Sequence, residues 1–475
     1  IGLGFRRLAI LDPTPDGRQP MHSATGRYVL VFNGEVYNFR DLRRDLERRG
    51  AEFRGQSDTE VLLAAFEAWG VEDALPRFNG MFAMAVWDRR ERTLHLVRDR
   101  LGIKPLYYGR VGGAWVFGSD PAAFRRFPGF SGRVDRGSLC LYLRHAYVPG
   151  PHCIYEGIRK LRPGHLLTLS SAADEHAEPH PWWTPRQAVL QGQADPFAGS
   201  AAEAVDALEE LLTDAVTSRL VADVPLGAFL SGGVDSSTVV ALMQAGRSSP
   251  VKTFSIGFAE EEFNEAGYAA EVARHLGTDH TELVVSPRDC RDVIPLLPGM
   301  FSEPFADSSQ IPTYLVSRLA RTAVTVSLSG DGGDELFAGY HNYAFGEALW
   351  RRAGGLPPWL RRTAGTVARG IPTGAWDQVL RLARPFDSLG RGFAVTGDRV
   401  HKLAEVVGRR DFRDMYRYLV SAWKDPARLV VAGRESPSLL RGLDPAPPVA
   451  DPVPAMQYWD LMTYLPDDIL TTVDR

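Results

Sequence analysis

The chain has 475 residues, 44% hydrophobic and 24% charged, with a formal net charge of −4. That length fits two or three domains, each able to bury its own core, and so small an acidic balance leaves no electrostatic footprint for nucleic acid or an anionic membrane surface. Cys140, Cys153 and Cys290 lack C-x-x-C spacing, which excludes a disulfide framework and a cysteine-rich zinc site and favours the cytosol; no apolar run reaches the roughly eighteen residues of a membrane span.

The start, Ile1-Gly2-Leu3-Gly4-Phe5, has neither an initiator Met nor a basic leader region and reads as cut. From 1 to 168, strands are expected at 28–32, 81–87, 93–98 and 115–118 and helices at 38–49 and 59–69, an α+β domain. Residues 169–200 collect Ala, Asp, Glu, Pro, Gly and Gln without sustained periodicity and read as a surface linker. Within it, Trp182-Trp183 reads as an aromatic pair docking the linker on a neighbouring domain. From 201 the pattern changes to helix 201–221, strand 226–230, helix 236–245, strand 252–258, helix 264–276, strand 280–285, helix 310–322 and strand 324–329, the alternation of a parallel sheet covered by helices. The remainder, 341–475, reads as mostly helical, and 461–473 as an amphipathic segment without a C-cap glycine. The pairs Arg6-Arg7, Arg43-Arg44, Arg48-Arg49 and Arg361-Arg362 read as solvated helix faces, and the cysteines as small buried apolar residues.

Two loops carry the chemistry. Ser231-Gly232-Gly233-Val234-Asp235-Ser236-Ser237 stands between a strand pattern and a helix pattern, where backbone approaches a ligand closely and the first helical N–H groups are unpaired. Pyrophosphate fits there. The helix dipole contributes about 0.3–1 kcal/mol per exposed charge, so the hydroxyls of Ser231, Ser236 and Ser237 are expected to supply most of the geometry and Asp235 to hold magnesium. A second loop, Ser329-Gly330-Asp331-Gly332-Gly333-Asp334-Glu335, follows another strand pattern, and both lie where open parallel sheets bind ligands. The P-loop and dinucleotide motifs are absent, a G-x-S-x-G elbow is excluded by Phe229, and 331–335 lacks calcium-loop spacing.

Taken together with Arg7-Leu8-Ala9-Ile10-Leu11-Asp12, Asn33-Gly34-Glu35-Val36-Tyr37-Asn38, Ser57-Asp58-Thr59-Glu60, Gly80-Met81-Phe82-Ala83 and Arg98-Asp99-Arg100-Leu101-Gly102-Ile103-Lys104-Pro105-Leu106-Tyr107, these loops give a chain that resembles the glutamine-hydrolysing asparagine synthetase family over nearly its whole length. The resemblance implies an α+β Ntn-type glutaminase domain, a β-sandwich with helices, at 1–168, and at 201–475 an α/β parallel-sheet ATP-pyrophosphatase domain with a helical C-terminal part. Aspartate would become asparagine through an aspartyl-adenylate, with ammonia from glutamine and with ATP and Mg2+. The acceptor alternatives are a β-lactam-synthetase-like enzyme or a secondary-metabolite or polysaccharide amidotransferase. A nucleotide-binding fragment without turnover is the non-enzymatic alternative.

For the glutamine site the resemblance implies Arg7 as carboxylate clamp, Glu35 and Asp58 as partners of the ammonium, and Asn33 with the Gly34 N–H as oxyanion donors; for Asn33-Gly34 alone, a type I′ hairpin turn is the rival. The family's nucleophile is a first-residue Cys, whereas position 1 here is Ile, which implies a lost upstream stretch and a 475-residue polypeptide without glutaminase activity of its own. A downstream segment carrying a lysine of the adenylation step is likewise expected to lie beyond Arg475. Ser231, Gly232, Gly233, Asp235, Ser236, Ser329 and Gly330 would hold ATP, Phe229 and Ile256 would border adenine, Asp235 and Asp334 would bind the metal, and Asp331 would contact the acyl-adenylate. Glu303-Pro304-Phe305-Ala306-Asp307-Ser308 is expected to be a domain-contact and substrate-side loop. Glutamine, aspartate and ATP are the expected small-molecule partners, with no nucleic acid, no membrane and a homodimer as candidate assembly.

Overall fold

Along 28–36 the residues on both faces are buried, the signature of an interior strand. In the computed structural model, which describes residues 1–170, 177–258, 265–383 and 396–474, this run is β2 (Tyr28–Val36), following β1 (Met21–His22). It pairs antiparallel with β3 (Gly80–Asp88), which pairs with β4 (Thr93–Arg98). Next come β5 (Tyr107–Val111), β6 (Ala114–Gly118), β7 (Ile158–Lys160), β8 (His165–Leu169) and β9 (His180–Pro181). The antiparallel orders are β1-β2-β3-β4-β8-β9 and β6-β5-β7.

Period-two alternation divides the core. Leu30, Phe32, Met84 and Val86 pack on one face of the larger sheet with residues of the helices Phe39–Arg48 and Asp58–Trp69. Val31, Ala83 and Ala85 point to the other face, where they meet Leu106, Tyr108 and Leu161. The result is a sandwich with helices on one side, as expected. The expected strands at 28–32, 81–87, 93–98 and 115–118 lie within β2, β3, β4 and β6. Strands β5, β7 and β8 have no counterpart in the sequence pattern, because 106–111 and 158–169 are punctuated by Gly, Lys and Pro and show no clean alternation.

The third sheet is parallel throughout, in the order β12-β11-β10-β13, from β10 (Leu226–Phe229), β11 (Lys252–Phe258), β12 (Asp279–Val285) and β13 (Val326–Leu328). Helices Val234–Ala245 and Ala266–Leu276 cover one face through Val240, Met243, Ala269 and Ala273, and Gln310–Ala320 packs Leu315 and Ala320 on the other side. The expected alternation is present with shifted ends: the first helix, Ala201–Ser218, stops earlier, and the helix after β10 begins two residues earlier than expected, at Val234, so Asp235 sits in its first turn. The expected start of the next helix, 264, lies outside the described residues.

The stretch read as a linker carries β9 and the helix Pro185–Ala194, and Trp182 stacks on Phe82 with ring centroids 6.1 Å apart. Cys140 and Cys153 are buried; Cys290 is half-buried against an apolar cluster. Arg44, Arg48 and Arg49 are exposed on or beside the helix Phe39–Arg48 as read, with three corrections: Arg6-Arg7 lie on irregular chain and not on a helix, Arg43 is half-buried with its guanidinium 4.5 Å from the centre of the Phe53 ring, and Arg361 is 2% exposed, its guanidinium 4.8 Å from the centre of the Trp350 ring. Stacking on an aromatic face lets a helix bury a weakly hydrated cation that sequence alone assigns to solvent. After 341 the described residues are helical as far as Leu419, mostly irregular over 420–451, and helical again in Pro452–Met462, a π-helical turn Leu465–Ile469 and Leu470–Val473. Among the described residues no helix is long and apolar enough to cross a membrane.

Candidate active sites in the two halves

The first site is assembled on β2. Asn33-Gly34 lies inside that strand, with Gly34 opposite Phe82, so the hairpin-turn rival fails. Gly34 has φ +152°, and a β-carbon there would run into the Met81 carbonyl oxygen, so close approach of two strand backbones requires glycine. Asn33 Nδ2 donates to Ser119 Oγ at 3.3 Å. Glu35 Oε1 is buried without a hydrogen-bond partner. Burial first, then the Asp58 carboxylate, pushes the Glu35 carboxyl up to about 7, while Lys104 and Arg219 pull the other way. Asp58, 4% exposed at the start of its helix, accepts from Val36 N–H at 3.1 Å; burial raises it to about 6 against the Val36 and Thr59 N–H groups and Arg7. The Arg7 guanidinium donates to Leu11 O at 2.5 Å and lies where a β-carbon on Gly17 would stand 2.5 Å from its nitrogens.

Arg7, Glu35 and Asp58 thus share one electrostatic neighbourhood. Two carboxyls raised by burial, Glu35 also by the Asp58 carboxylate, want a cation, and the guanidinium wants an anion. An α-amino acid supplies both. Sequence reasoning misses three supporting groups. Asp12 fixes this corner, accepting from Gln56 N–H at 2.9 Å, while its own N–H donates to Asp223 Oδ2 at 2.8 Å. Asp99, 1% exposed, accepts the N–H groups of Phe82, Leu101, Ile103 and Lys104 and so shapes the loop that presents Lys104. Arg219 lies 4.2 Å from the centre of the Tyr37 ring. For the two acids the signal is their place inside the Arg7–Asp12 and Arg98–Tyr107 motifs; Arg219 has none.

The second site lies at the carboxyl ends of β10 and β13. Ser231 Oγ and Ser236 Oγ are 2.9 Å apart, Gly233 N–H donates to Ser231 Oγ at 3.2 Å, and no side chain caps the helix Val234–Ala245. Its leading N–H groups therefore stay available, the arrangement that receives phosphate. Ser237 Oγ is buried without a partner. Gly232, at φ +82°, passes under the helix Ala266–Leu276, where a β-carbon would lie 2.7 Å from Ala269 N.

The second loop packs directly on the first. A β-carbon on Gly330 would stand 2.9 Å from Ser236 N, and one on Gly333 2.5 Å from Asp235 Oδ2. Asp334 is pushed up by burial and then by the carboxylates of Asp235 and Asp331, with His341 opposing. That mutual repulsion is what a bound divalent cation removes. Among the described residues no group of three or more His, Cys, Asp and Glu is arranged for a metal ion; a magnesium ion held by the pair Asp235 and Asp334 would take its other ligands from phosphate and water. Asp331 is exposed at the loop and interacts with the Ser329 hydroxyl. Phe229 and Ile256 are half-buried on adjacent strands. Beneath the loop, Glu335 is 1% exposed, accepts from Tyr340 OH at 2.9 Å and leaves Oε2 unpartnered.

The sequence model of the glutamine amidotransferase domain matches residues 1–183 and that of asparagine synthase matches residues 207–475. Asparagine synthetase [glutamine-hydrolyzing] 1 of Bacillus subtilis is 31% identical over 478 residues, an alignment spanning 100% of this chain and 70% of that protein. Asparagine synthetase [glutamine-hydrolyzing] 3 of the same organism is 34% identical over 80% of this chain and 61% of its own length, and amidase chyE of Penicillium rubens is 30% identical over 72% and 51%. With both family models in sequence along one chain and a relative aligned over all of it, the chain belongs to the glutamine-hydrolysing asparagine synthetase family.

Proposed function

We propose that this protein makes asparagine from aspartate, ATP and glutamine-derived ammonia, with a glutaminase half at 1–168, a connection at 169–200 and a synthetase half at 201–475. The observation that carries the reading is the contact of the two glycine-rich loops, which sets Asp235 and Asp334 beside a helix N-terminus with free N–H groups.

A carboxylate is a poor electrophile, so the aspartate side chain attacks the α-phosphorus of ATP, forming an acyl-adenylate and releasing pyrophosphate. Ser231, Gly232, Gly233 and Ser236 hold the phosphates, Ser329 and Gly330 border the ribose or α-phosphate, Phe229 and Ile256 border adenine, and Asp331 faces the adenylate. Asp235 and Asp334 hold Mg2+, which when bound neutralises phosphate charge. Ammonia then attacks the acyl carbon, AMP leaves and a proton is lost. In the other half, Arg7 clamps the glutamine carboxylate, Glu35 and Asp58 take its ammonium, and Asn33 with Gly34 N–H stabilises the oxyanion. The retained Arg7, Glu35 and Asp58 cluster argues against an enzyme that closes its own amide, which has no use for a glutamine site.

The test is pyrophosphate and asparagine formation by the full-length protein from ATP and aspartate, with glutamine or ammonium as nitrogen source. Pyrophosphate released with another carboxylic acid and not with aspartate would replace the assigned acceptor.

A further inference from the structure

Away from both sites, Lys160 at the end of β7 is 6% exposed and ion-paired to two carboxylates of the other half, Glu303 Oε2 at 3.2 Å and Asp467 Oδ1 at 3.3 Å. Its third partner is the Val148 carbonyl. Burial alone pulls the lysine pKa down, but Asp467 and Glu303 more than offset it and keep the ammonium charged. Each acid is also gripped by the first half: Ile154 N–H donates to Glu303 Oε1 at 2.7 Å, Gly150 N–H to Asp467 Oδ2 at 2.6 Å, and Tyr107 OH to Glu303 Oε2 at 2.8 Å. A cavity of about 20 Å³ opens beside this cluster, bordered by Tyr147, Ser302, Phe305 and Thr471.

The segments that carry the two acids continue toward both sites. Past Asp467 the chain reaches Asp474, ion-paired to Lys104, the cation felt by Glu35. In the other direction Tyr464 lies 5.7 Å, ring to ring, from Tyr340, whose hydroxyl holds Glu335, and Leu465 borders Gly332 of the second loop. Loop 301–307 is sewn to the first half by Ser302 on Asp120 and by Ala306 N–H on Ala146 O at 2.9 Å. Lys160 is therefore the cation on which the two connecting segments converge.

We propose that Lys160 is a positioning residue that couples the two half-reactions, clamping loop 301–307 and turn 464–468 against the first half so that nitrogen released at one site reaches the other without entering bulk water. This rests on the proposed asparagine synthesis from glutamine. Ammonia escaping into neutral water becomes ammonium, which has no lone pair for attack, so a small opening between the halves wastes glutamine without touching either site's residues.

The experiment uses the full-length protein and compares glutamate with asparagine formed from glutamine, and asparagine formed from ammonium, for Lys160→Met and for Lys160→Met combined with Asp467→Asn. The double variant removes one charge of each sign and leaves Glu303 its donors from Tyr107 and Ile154, so it keeps the net charge of the cluster unchanged if the single variant folds poorly. The expected result is persistent glutamate release and ammonium-supported synthesis with glutamine-supported asparagine down on the order of tenfold or more, a loss typical of misplacement rather than of lost chemistry. Near-equimolar glutamate and asparagine in the double variant, or parallel loss from both nitrogen sources, overturns the proposal. A parent protein that makes asparagine from neither source removes the functional reading itself and this proposal with it.

Discussion

Gly333 packs so tightly against Asp235 that a β-carbon on it would stand 2.5 Å from the Asp235 carboxylate oxygen Oδ2. The contact joins two loops that are distant in sequence and leaves Asp235 little freedom to turn. Gly333→Ala forces that carboxylate or the loop to move, and overpacking of this kind costs about 1–3 kcal/mol. We expect the variant to fold, with nucleotide affinity lowered more than thermal stability. A titration with ATP showing parental affinity would mean that Asp235 is not held by this contact.

Asp235 itself is the sharper test. If its carboxylate shares a magnesium ion with Asp334, Asp235→Asn lowers aspartate-dependent pyrophosphate release by on the order of a hundredfold, the loss typical of removing one group that stabilises developing charge. Raised magnesium should recover part of it. Unchanged release sinks the assignment.

Much of this architecture is legible in the amino-acid sequence. The parallel sheet follows from apolar runs alternating with helical periodicity, and both loops from Gly, Ser and Asp at strand ends. What stays hidden depends on distance along the chain. Nothing local distinguishes Lys160 from a solvated lysine, because its partners Glu303 and Asp467 lie in another half; Arg361 is buried by Trp350 rather than by its own helix face. Asp99 stands inside the Arg98–Tyr107 motif, but its role shows only in the backbone N–H groups it accepts from the loop that follows it.

Arg7 separates the two nitrogen sources. As the clamp for the glutamine carboxylate, Arg7→Ala should abolish glutamine-supported synthesis and spare synthesis from ammonium salts. Equal loss with both donors would show that its contacts with Leu11 and Gly17 matter for the fold instead.

Glu435 sets the acid limit of the junction between the halves. It accepts from Arg144 Nε at 2.6 Å, Arg144 Nη2 at 2.7 Å and Arg417 Nη2 at 2.5 Å. Burial alone would raise its pKa, but these bonds carry it down to about 2 from 4.5. A depressed folded pKa means stability present above pH 4.5 and lost as pH falls toward 2. Glu435→Gln leaves the guanidiniums uncompensated and should cost about 3–5 kcal/mol at neutral pH, with the gap to the parent closing in acid. Urea denaturation at about pH 7 and about pH 3 checks both; equal midpoints at neutral pH would discount the cluster.

Glu35 has the opposite sign, and the contrast separates a binding group from a structural one. Its carboxyl ionises near the ordinary 4.5 in the unfolded chain and near 7 in the fold. Below 4.5 it is protonated in both states and costs nothing; as pH rises from 4.5 to 7 the folded state loses stability, reaching a deficit on the order of 3 kcal/mol above pH 7. Such a cost is retained where a ligand offsets it, here the ammonium of bound glutamine. Glu35→Gln should therefore melt higher than the parent at about pH 8 and equal it near pH 4.5, while its KM for glutamine rises steeply and ammonium-supported synthesis stays unchanged. In the parent, KM for glutamine should climb as pH drops below about 7, because the protonated carboxyl no longer attracts the substrate amine. A parent whose glutamine KM is flat between about pH 8 and pH 6, together with a Glu35→Gln variant no more stable at the upper end of that range, would place Glu35 outside the binding site.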